Sequence, residues 1–263
     1  MAKIFITGSA DGLGRMAAQL LVEQGHIVVL HGRNSSRAKD ALRGVPGARL
    51  ALSGDLSSIN QTIQLAEEVN QLGFFDAVIH NAAVGYRESK RTTTVDGLPQ
   101  VFAVNSLAPY ILTCLIRRPA RLIYLSSGLH RQADGGLDDL EWKQTKWDGF
   151  KAYSDSKLHD VILAFAVARK WKGVYSNALE PGWVATKMGG PSAPDSLDEA
   201  PRTQVWLAAS NEPGALVTGK YFYHLKQTPV NPLAKNEKAQ DSLLAHCERF
   251  SGIAFPTLAS DIV

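Results

Sequence analysis

The stretch Thr7-Gly8-Ser9-Ala10-Asp11-Gly12-Leu13-Gly14 follows the apolar run Ile4-Phe5-Ile6 and opens an amphipathic segment. This order predicts a strand, a glycine turn and a helix, which together form a dinucleotide-binding site. Gly8 lets the chain turn sharply off the strand, Gly12 leaves room for a pyrophosphate against the backbone, and Gly14 lets the helix pack close to the sheet. The first N–H groups of the helix would face the phosphates, so the stretch indicates a nicotinamide cofactor.

Length and composition fit one large domain with ample capacity for a core, since 45% of the 263 residues are hydrophobic and 20% are charged. The formal net charge is only +3, and the charges are dispersed rather than striped, so we expect no nucleic-acid partner. No apolar run approaches the roughly 20 residues of a membrane span. The first predicted strand begins at Lys3, which leaves no room for a signal peptide. We therefore expect a cytoplasmic protein with no membrane partner.

Cysteine, histidine and acidic residues predict neither a disulfide scaffold nor a metal site. Cys114 and Cys247 lie in an apolar run and a late helix, which is typical of reduced thiols. The seven histidines have no metal-ligand spacing. One acidic cluster lacks the spacing of a calcium loop and is interpreted as a solvated loop: Asp134, Asp138, Asp139 and Glu141.

Apolar strand candidates alternate with helical patterns along the whole chain, which predicts a single α/β domain over 1–263. The alternation favours a doubly wound, mostly seven-stranded parallel sheet with helices on both faces. The stretches 128–150 and 181–201 interrupt it and are candidate substrate loops beyond strand ends. Predicted strands span 3–7, 27–31, 49–52, 77–80, 121–126, 175–180 and 220–224, and predicted helices include 14–23, 59–72, 152–170 and 235–250.

The residues after the second predicted strand favour NADP(H) over NAD(H). An NAD site would offer an Asp or Glu about 20 residues past the glycines, whereas this chain has His31-Gly32-Arg33-Asn34. Arg33 and Arg37 supply positive charge where a 2′-phosphate would lie, and Arg15 could join them, because guanidinium groups match phosphate in a forked geometry. The alternative is that these are solvated charges at a helix start.

Tyr153 and Lys157 are candidate catalytic residues. They are four residues apart in a predicted helix, so their Cβ atoms lie roughly 5–6 Å apart on one face. A neighbouring ammonium lowers the pKa of a phenol from about 10 toward neutrality, where it can exchange a proton with an alcohol or carbonyl oxygen. Tyr86 and Lys90 have the same spacing, but no strand-end serine precedes them and they are interpreted as a loop.

Ser126 and Ser127 follow the predicted buried strand Leu122-Ile123-Tyr124-Leu125. A hydroxyl at that strand end can hydrogen-bond the oxygen of a substrate. The alternative is that both serines only end the strand and open a turn.

As a set, the motifs resemble the classical short-chain dehydrogenase/reductase family, in order and over nearly the whole chain. The gap from Ser127 to Tyr153 is long, and it is similar to that of the retinol dehydrogenase-like branch. Animal members of that branch often carry a membrane anchor, which is not expected here, so no retinoid substrate is implied. The motifs are Thr7-Gly8-x-x-x-Gly12-x-Gly14, Asp55-Leu56, Asn81-Ala82-Ala83, Asn105, Ser126-Ser127, Tyr153-x-x-x-Lys157 and Pro181-Gly182-Trp183-Val184-Ala185-Thr186.

One departure concerns the segment after the fourth strand. The family usually has Asn-Asn-Ala-Gly there, whereas this chain has His80-Asn81-Ala82-Ala83. The close backbone approach that glycine allows is therefore in doubt.

The resemblance implies a Rossmann fold and a role for each matching residue. Tyr153 would be the acid/base, and Lys157 would lower its pKa and bind the ribose. Ser127 would orient the carbonyl group, and Asn105 would hold a proton-relay water. The predicted cofactor-binding residues are Gly8, Ser9, Asp11, Gly12, Leu13, Gly14, Arg33, Asn34, Asp55, Leu56, Asn81, Ala82, Ala83, Tyr153, Lys157, Pro181, Gly182, Val184 and Thr186.

The expected function is that of an NADP(H)-dependent oxidoreductase that interconverts a small alcohol and its ketone or aldehyde. A hydrophobic substrate is expected, and the resemblance implies a homodimer or homotetramer that forms through the helices around Asn105 and Tyr153. One alternative is a non-catalytic NADP(H)-binding regulator; another is a sugar-nucleotide epimerase, which usually spaces its glycines as G-x-x-G-x-x-G. Candidates for an apolar substrate pocket are Trp142, Trp147, Phe150, Trp183 and Met188.

Overall fold

Seven parallel strands form the centre of the computed structural model, which describes residues 1–86 and 88–257. The sheet order is β3-β2-β1-β4-β5-β6-β7-β8, with the reversal of strand order between β1 and β4 that the doubly wound prediction requires. The strands are β1 (Lys3–Ile6), β2 (Ile27–Gly32), β3 (Leu50–Ser53), β4 (Ala77–His80), β5 (Arg121–Leu125), β6 (Tyr175–Glu180), β7 (Lys220–Tyr223) and β8 (Lys226–Gln227).

Helices cover both faces of the sheet, as the sequence predicts. One hydrophobic cluster joins α1, α2 and α7 to one face, and a larger cluster joins α3, α5, α6 and α8 to the other. The helices are α1 (Gly12–Glu23), α2 (Ser35–Gly44), α3 (Ile59–Gln71), α4 (Gln100–Phe102), α5 (Ala108–Leu115), α6 (Gly149–Lys170), α7 (Arg202–Ala209) and α8 (Glu237–Ser251). Between α4 and α5 the chain is π-helical over Ala103–Leu107.

The eighth strand was not predicted. It contains only two residues, Lys226–Gln227, and pairs with β7 in antiparallel orientation. The two connecting residues, His224 and Leu225, have φ values of 46° and 65°. Such a turn usually carries glycine or asparagine at these positions, so the usual sequence signal for a hairpin is absent.

Some helices begin at residues other than the predicted ones. α6 begins at Gly149 rather than at 152, because Asp148 Oδ1 accepts hydrogen bonds from the N–H groups of Phe150 and Lys151. α2 was not predicted as a separate helix, and Asn34 caps it in the same way.

α8 packs against α6 on the face of the sheet that also carries α5. Leu243, Leu244 and Cys247 of α8 are buried in the same cluster as the apolar residues of α6. Sixteen of the 22 residues of α6 are buried. The helices around Asn105 and Tyr153, through which the resemblance implies a homodimer or homotetramer, are thus largely covered within one chain.

Within residues 1–86 and 88–257, no helix combines the length and the apolar sequence that crossing a membrane requires. The same residues contain no group of three or more His, Cys, Asp or Glu side chains arranged to hold a metal ion. Cys114 and Cys247 are free thiols.

We expect the Leu243→Ala variant to lose about 2–5 kcal/mol of unfolding free energy, because it leaves a cavity between α8 and α6. Denaturant unfolding at neutral pH measures this loss. Lys238→Ala on the exposed face of α8 is the matched control, and its unfolding free energy should change by less than about 0.5 kcal/mol. Equal losses in the two variants would contradict the assigned packing of α8.

Candidate active site

A cleft of about 1670 Å³ opens at the carboxyl edge of the sheet. Parallel strands all end at the same edge, so residues far apart in sequence meet there. The glycine turn lines one end of the cleft, and Ser127, Tyr153 and Lys157 line it beyond the ends of β5 and β6.

The glycine turn has the shape that a pyrophosphate requires. Gly8 and Gly12 adopt φ values of +63° and +52°. A Cβ atom at Gly8 would lie 2.7 Å from the Cα of Ala82, and one at Gly14 would lie 2.5 Å from the carbonyl oxygen of Gly8. A Cβ atom at Gly12 would meet nothing within 4 Å, so the backbone there is open to the cleft.

Asp11 directly precedes α1, but its side chain makes no capping hydrogen bond. The Asp11 carboxylate therefore does not occupy the first N–H groups of the helix. The turn and the helix start therefore fit a dinucleotide phosphate. Asp11 Oδ2 instead accepts hydrogen bonds from Arg37 Nη2 at 2.6 Å and Lys187 Nζ at 2.9 Å. Burial acts to raise the pKa of this carboxyl, but Lys187 and Arg37 together hold it below its usual range.

Ser9 does not contact the cleft. Its side chain is fully buried, and its Oγ donates to the Ile6 carbonyl and accepts from the His31 N–H at 2.8 Å. The Ser9 hydroxyl therefore joins β1 to β2 beneath the turn, and a contact between Ser9 and the cofactor stays a prediction.

His31 is a structural residue of the site that sequence reasoning did not single out. Its Nδ1 accepts from the Gly8 N–H at 3.0 Å, and its Nε2 lies 2.8 Å from the Gly54 carbonyl. Complete burial lowers the pKa of His31 to about 4, so the ring is neutral and can accept at Nδ1 while donating at Nε2. The neutral ring thus fixes the glycine turn against the end of β3.

The arginines that line this end of the cleft differ in their ion-pair partners. Arg15, Arg33 and Arg37 all line the cleft. Arg37 forms ion pairs with Asp11 and Asp40, whereas Arg33 is exposed. Asn34 lies outside the cleft lining, because its Oδ1 caps α2 by accepting from the Arg37 N–H.

The segments after β3 and β4 line the middle of the cleft. Asp55 and Leu56 are in the lining, and the Asp55 carboxylate accepts from the backbone and hydroxyl of Ser57. Asn81 Nδ2 donates to the carbonyls of Thr7 and Gly8 at 3.0 Å each. The neighbouring alanine at 83 also lines the cleft and is not in the left-handed region, so the departure from glycine is tolerated there.

Tyr153 and Lys157 lie together as the spacing predicts, with Lys157 Nζ 5.8 Å from the centre of the Tyr153 ring. Ser127 lines the cleft, where it can reach a bound molecule. Ser126 also lines the cleft, but it is buried and its Oγ donates to the Lys157 carbonyl at 2.6 Å, so its hydroxyl supports α6.

The pKa of Tyr153 is raised overall, whereas the spacing to Lys157 predicts that it is lowered. Burial raises the pKa of Tyr153 more than Lys157 and Ser127 lower it. The negative charge of Asp160, whose Oδ2 accepts from Lys157 Nζ at 2.8 Å, also raises it. Sequence reasoning missed Asp160, although its position three residues after Lys157 on a helix is a usable signal.

Asn105 is buried in the π-helical segment and does not line the cleft. Its Oδ1 accepts from the Val84 N–H at 2.8 Å, and its Nδ2 donates to the Val84 carbonyl and to Ser156 Oγ. Its side-chain amide thus ties the loop after β4 to α6, and the role of Asn105 in holding a proton-relay water stays a prediction.

The loop after β6 closes the far side of the cleft. Pro181, Gly182, Val184 and Thr186, which are predicted to bind the cofactor, line it. Met188 also lines it, with Sδ 3.7 Å from the Tyr153 hydroxyl.

Aromatic side chains surround the Tyr153 end of the cleft. Phe150, Trp183 and Tyr86 line it, and the Tyr86 ring centre lies 5.5 Å from that of Tyr153. Trp142 and Trp147, which were also pocket candidates, lie outside the lining and pack on each other at 5.1 Å. Tyr86 was interpreted only as a loop residue, and its place in the cleft follows from tertiary packing.

The sequence model described as short chain dehydrogenase matches residues 2–127. An uncharacterised oxidoreductase of Emericella nidulans, AN7799, is 45% identical over 97% of this chain and 99% of its own. Short-chain dehydrogenase chyC of Penicillium rubens is 42% identical, covering 97% and 100% of the two chains. Human retinol dehydrogenase 13 is 30% identical, covering 97% and 86%.

Solved structures have the same fold. An uncharacterised protein from Mycobacterium Paratuberculosis superposes with a TM-score of 0.84 at 24% identity, covering 97% of this chain and 95% of its own. A blue fluorescent protein from a metagenomic library, crystallised in complex with NADPH, gives a TM-score of 0.68 at 20% identity, covering 84% of this chain and 95% of its own.

We expect the unfolding free energy to fall as the pH drops from about 7 to about 5, because unfolded histidines bind protons that buried ones do not. His31→Gln removes one such group, so the dependence should become shallower by up to about 1.4 kcal/mol per pH unit. Denaturant unfolding at several pH values measures the slope. Ser9→Ala, which disturbs the same turn without removing a titrating group, should lower stability but keep the slope; an unchanged slope in His31→Gln would contradict the neutral, buried ring.

Proposed function

This chain belongs to the short-chain dehydrogenase/reductase family, in its retinol dehydrogenase-like branch, and from that premise we propose that it transfers a hydride between NADP(H) and the carbonyl or alcohol carbon of a small hydrophobic substrate. The observation that carries the proposal is the shared cleft. Ser127, Tyr153 and the glycine turn line one continuous space. A dinucleotide held at the turn would thus extend toward the two hydroxyls.

The residues present fit a bound dinucleotide. The open backbone at Gly12 and the N-terminus of α1 would receive the pyrophosphate, and Asp55 would lie at the adenine end. Lys157 would hydrogen-bond the ribose, and the loop 181–186 would contact the nicotinamide end. The cofactor, when bound, supplies or accepts the hydride.

NADP(H) is the favoured cofactor because positive charge replaces the carboxylate of an NAD site. Arg33 is exposed at the cleft and makes none of the ion pairs found among the described residues. Arg37 lies beside it, although Asp11 and Asp40 already offset its charge. A 2′-phosphate near Arg33 would find a guanidinium able to donate two parallel hydrogen bonds.

Tyr153 is the proposed acid/base. In the reduction direction its hydroxyl would give a proton to the carbonyl oxygen, and in the oxidation direction the phenolate would accept a proton from the alcohol. Ser127 would donate a hydrogen bond to the same oxygen and orient it. The raised pKa of Tyr153 means that the phenol is protonated at neutral pH, which is the form that reduction requires.

The substrate class follows from the lining beside Tyr153. Tyr86, Phe150, Met188 and Trp183 present rings and a thioether to the cleft. Such a lining would bind an apolar or aromatic body and leave its carbonyl group near Tyr153 and Ser127. The loops 128–150 and 181–201 are the proposed substrate loops, since each contributes residues to this lining.

Location and assembly stay predictions. The two free cysteines support a reducing compartment such as the cytoplasm. A homodimer or homotetramer is still proposed from the family resemblance, with an interface away from the covered faces of α5 and α6.

We expect Arg33→Ala to weaken NADPH binding by about tenfold or more, equivalent to roughly 1.4 kcal/mol, and to leave NADH binding nearly unchanged. Quenching of tryptophan fluorescence during cofactor titration measures both affinities. Arg43→Ala, in helix α2 that follows Arg33 but outside the cleft lining, is the matched control and should bind NADPH like wild type. An equal loss for both cofactors, or none for either, would contradict the proposed phosphate contact.

We expect Tyr153→Phe to lower kcat/KM for NADPH-dependent reduction by roughly 10²–10⁴, because the general acid is lost. A panel of aromatic aldehydes and ketones serves as the probe, and NADPH binding should persist. Tyr86→Phe removes a hydroxyl from the neighbouring ring in the same cleft and should change kcat/KM only a few-fold. If Tyr153→Phe retained wild-type turnover, Tyr153 would not be the acid.

A further inference from the structure

We propose that Asp160 is a positioning residue for the acid/base reaction, whose carboxylate holds the Lys157 ammonium in place and offsets part of its attraction on the Tyr153 phenol. This inference rests on the proposed function of Tyr153. It assigns Asp160 a part in setting the pH above which the Tyr153 phenol loses the proton that carbonyl reduction needs.

The geometry fixes the ammonium from two sides. Lys157 Nζ donates to Asp160 Oδ2 at 2.8 Å and to the Leu125 carbonyl at 2.7 Å. An ammonium has three N–H donors, so one remains to point into the cleft that Lys157 lines. The helix spacing of three residues brings the carboxylate to the ammonium from the buried side of α6.

Because the Lys157–Asp160 ion pair is buried, its charges interact more strongly with neighbouring groups than those of a surface ion pair. The side chains of Lys157 and Asp160 are only 4% and 3% exposed. Solvent screening is weak at such a site, so each charge acts strongly on its neighbours. Burial raises the pKa of Asp160 to about 6 against the lowering effect of Lys157, so the carboxylate is ionised at pH 7.

The charges of Lys157 and Asp160 have opposite effects on the pKa of Tyr153. Apart from burial, the Lys157 ammonium lowers the pKa of Tyr153 and the Asp160 carboxylate raises it. Ser127 at the end of β5 lowers it, and Tyr86 from the loop after β4 raises it. Removal of the negative charge at Asp160 should therefore shift the Tyr153 titration to lower pH.

The other titratable groups around Asp160 are neutral or paired near pH 7. Tyr124 of β5 and Tyr221 of β7 have pKa values raised chiefly by burial. Burial lowers the pKa of His80 to about 3 and that of His130 to about 4, and it also lowers that of His159 on α6. Cys114 of α5 stays a thiol, since burial raises its pKa. Arg131 and Glu180, which form an ion pair, lie beside Tyr221.

The decisive experiment is a pH titration of tyrosinate absorbance in wild type and Asp160→Asn. Subtracting the same titration of each protein carrying Tyr153→Phe isolates the Tyr153 signal without any need for turnover. Asparagine keeps the size of the side chain and can accept from Lys157, but it carries no charge. We expect the Tyr153 inflection in Asp160→Asn to lie about one pH unit or more below that of wild type. An unchanged or higher inflection would overturn the proposal.

Asp155→Asn is the matched control, because Asp155 is a buried carboxylate on the same helix that pairs with Lys151 at 2.8 Å. It should leave the Tyr153 inflection unchanged, and Asp160→Glu, which keeps the charge, should stay near wild type. A downward shift in either of these variants equal to that of Asp160→Asn would also overturn the proposal. If Asp160→Asn does not fold, Asp160→Ser enters the same titration, since a small side chain leaves space for water beside Lys157.

The pH profile of kcat/KM for NADPH-dependent carbonyl reduction is the second readout. The loss of rate at high pH should begin at lower pH in Asp160→Asn than in wild type, because reduction needs the protonated phenol. If no carbonyl probe is turned over by wild type, the proposed function fails, while the absorbance titration still decides whether Asp160 acts on Tyr153.

Discussion

The parallel order of β1, β4, β5 and β6 is the constraint on which the rest of the structure depends. It brings the carboxyl ends of these strands to one edge of the sheet. There the backbone of the glycine turn, the Ser127 hydroxyl and side chains of α6 line one cleft. Buried polar groups then fix this edge. The His31 ring links the turn to the end of β3, and the Asn105 amide links the loop after β4 to α6.

Much of the fold could be predicted from the sequence, because alternating strand and helix patterns leave few topologies with a buried parallel sheet. Six of the seven predicted strands begin at the predicted residue, and the glycine motif locates the first turn. The hairpin at β7 and β8 could not be predicted, because His224 and Leu225 adopt left-handed conformations without glycine. The bounds of α2 could not be predicted, because its short, polar sequence has only Ala38 and Ala41 buried.

The candidate site was predictable where a motif fixes the chemistry, and not where tertiary contacts redirect a side chain. Tyr153, Lys157, Ser127 and the glycines line the cleft as their spacing indicates. Ser9 and Asn105 carry plausible functional groups, but neighbouring backbone groups occupy them. Asp160 lies in the same helix as Tyr153, yet its effect depends on burial, which the sequence pattern does not give.

The central claim is that hydride passes directly between the cofactor and a carbonyl carbon in the cleft beside Tyr153. Reduction of an aromatic aldehyde in ordinary water, with NADPH deuterated at C4 of the nicotinamide in each of its two stereoisomers, tests it most directly. Mass spectrometry and NMR then locate the label in the product. With one stereoisomer, the alcohol should carry a single deuterium on the former carbonyl carbon. An alcohol formed without deuterium from either stereoisomer would contradict the account.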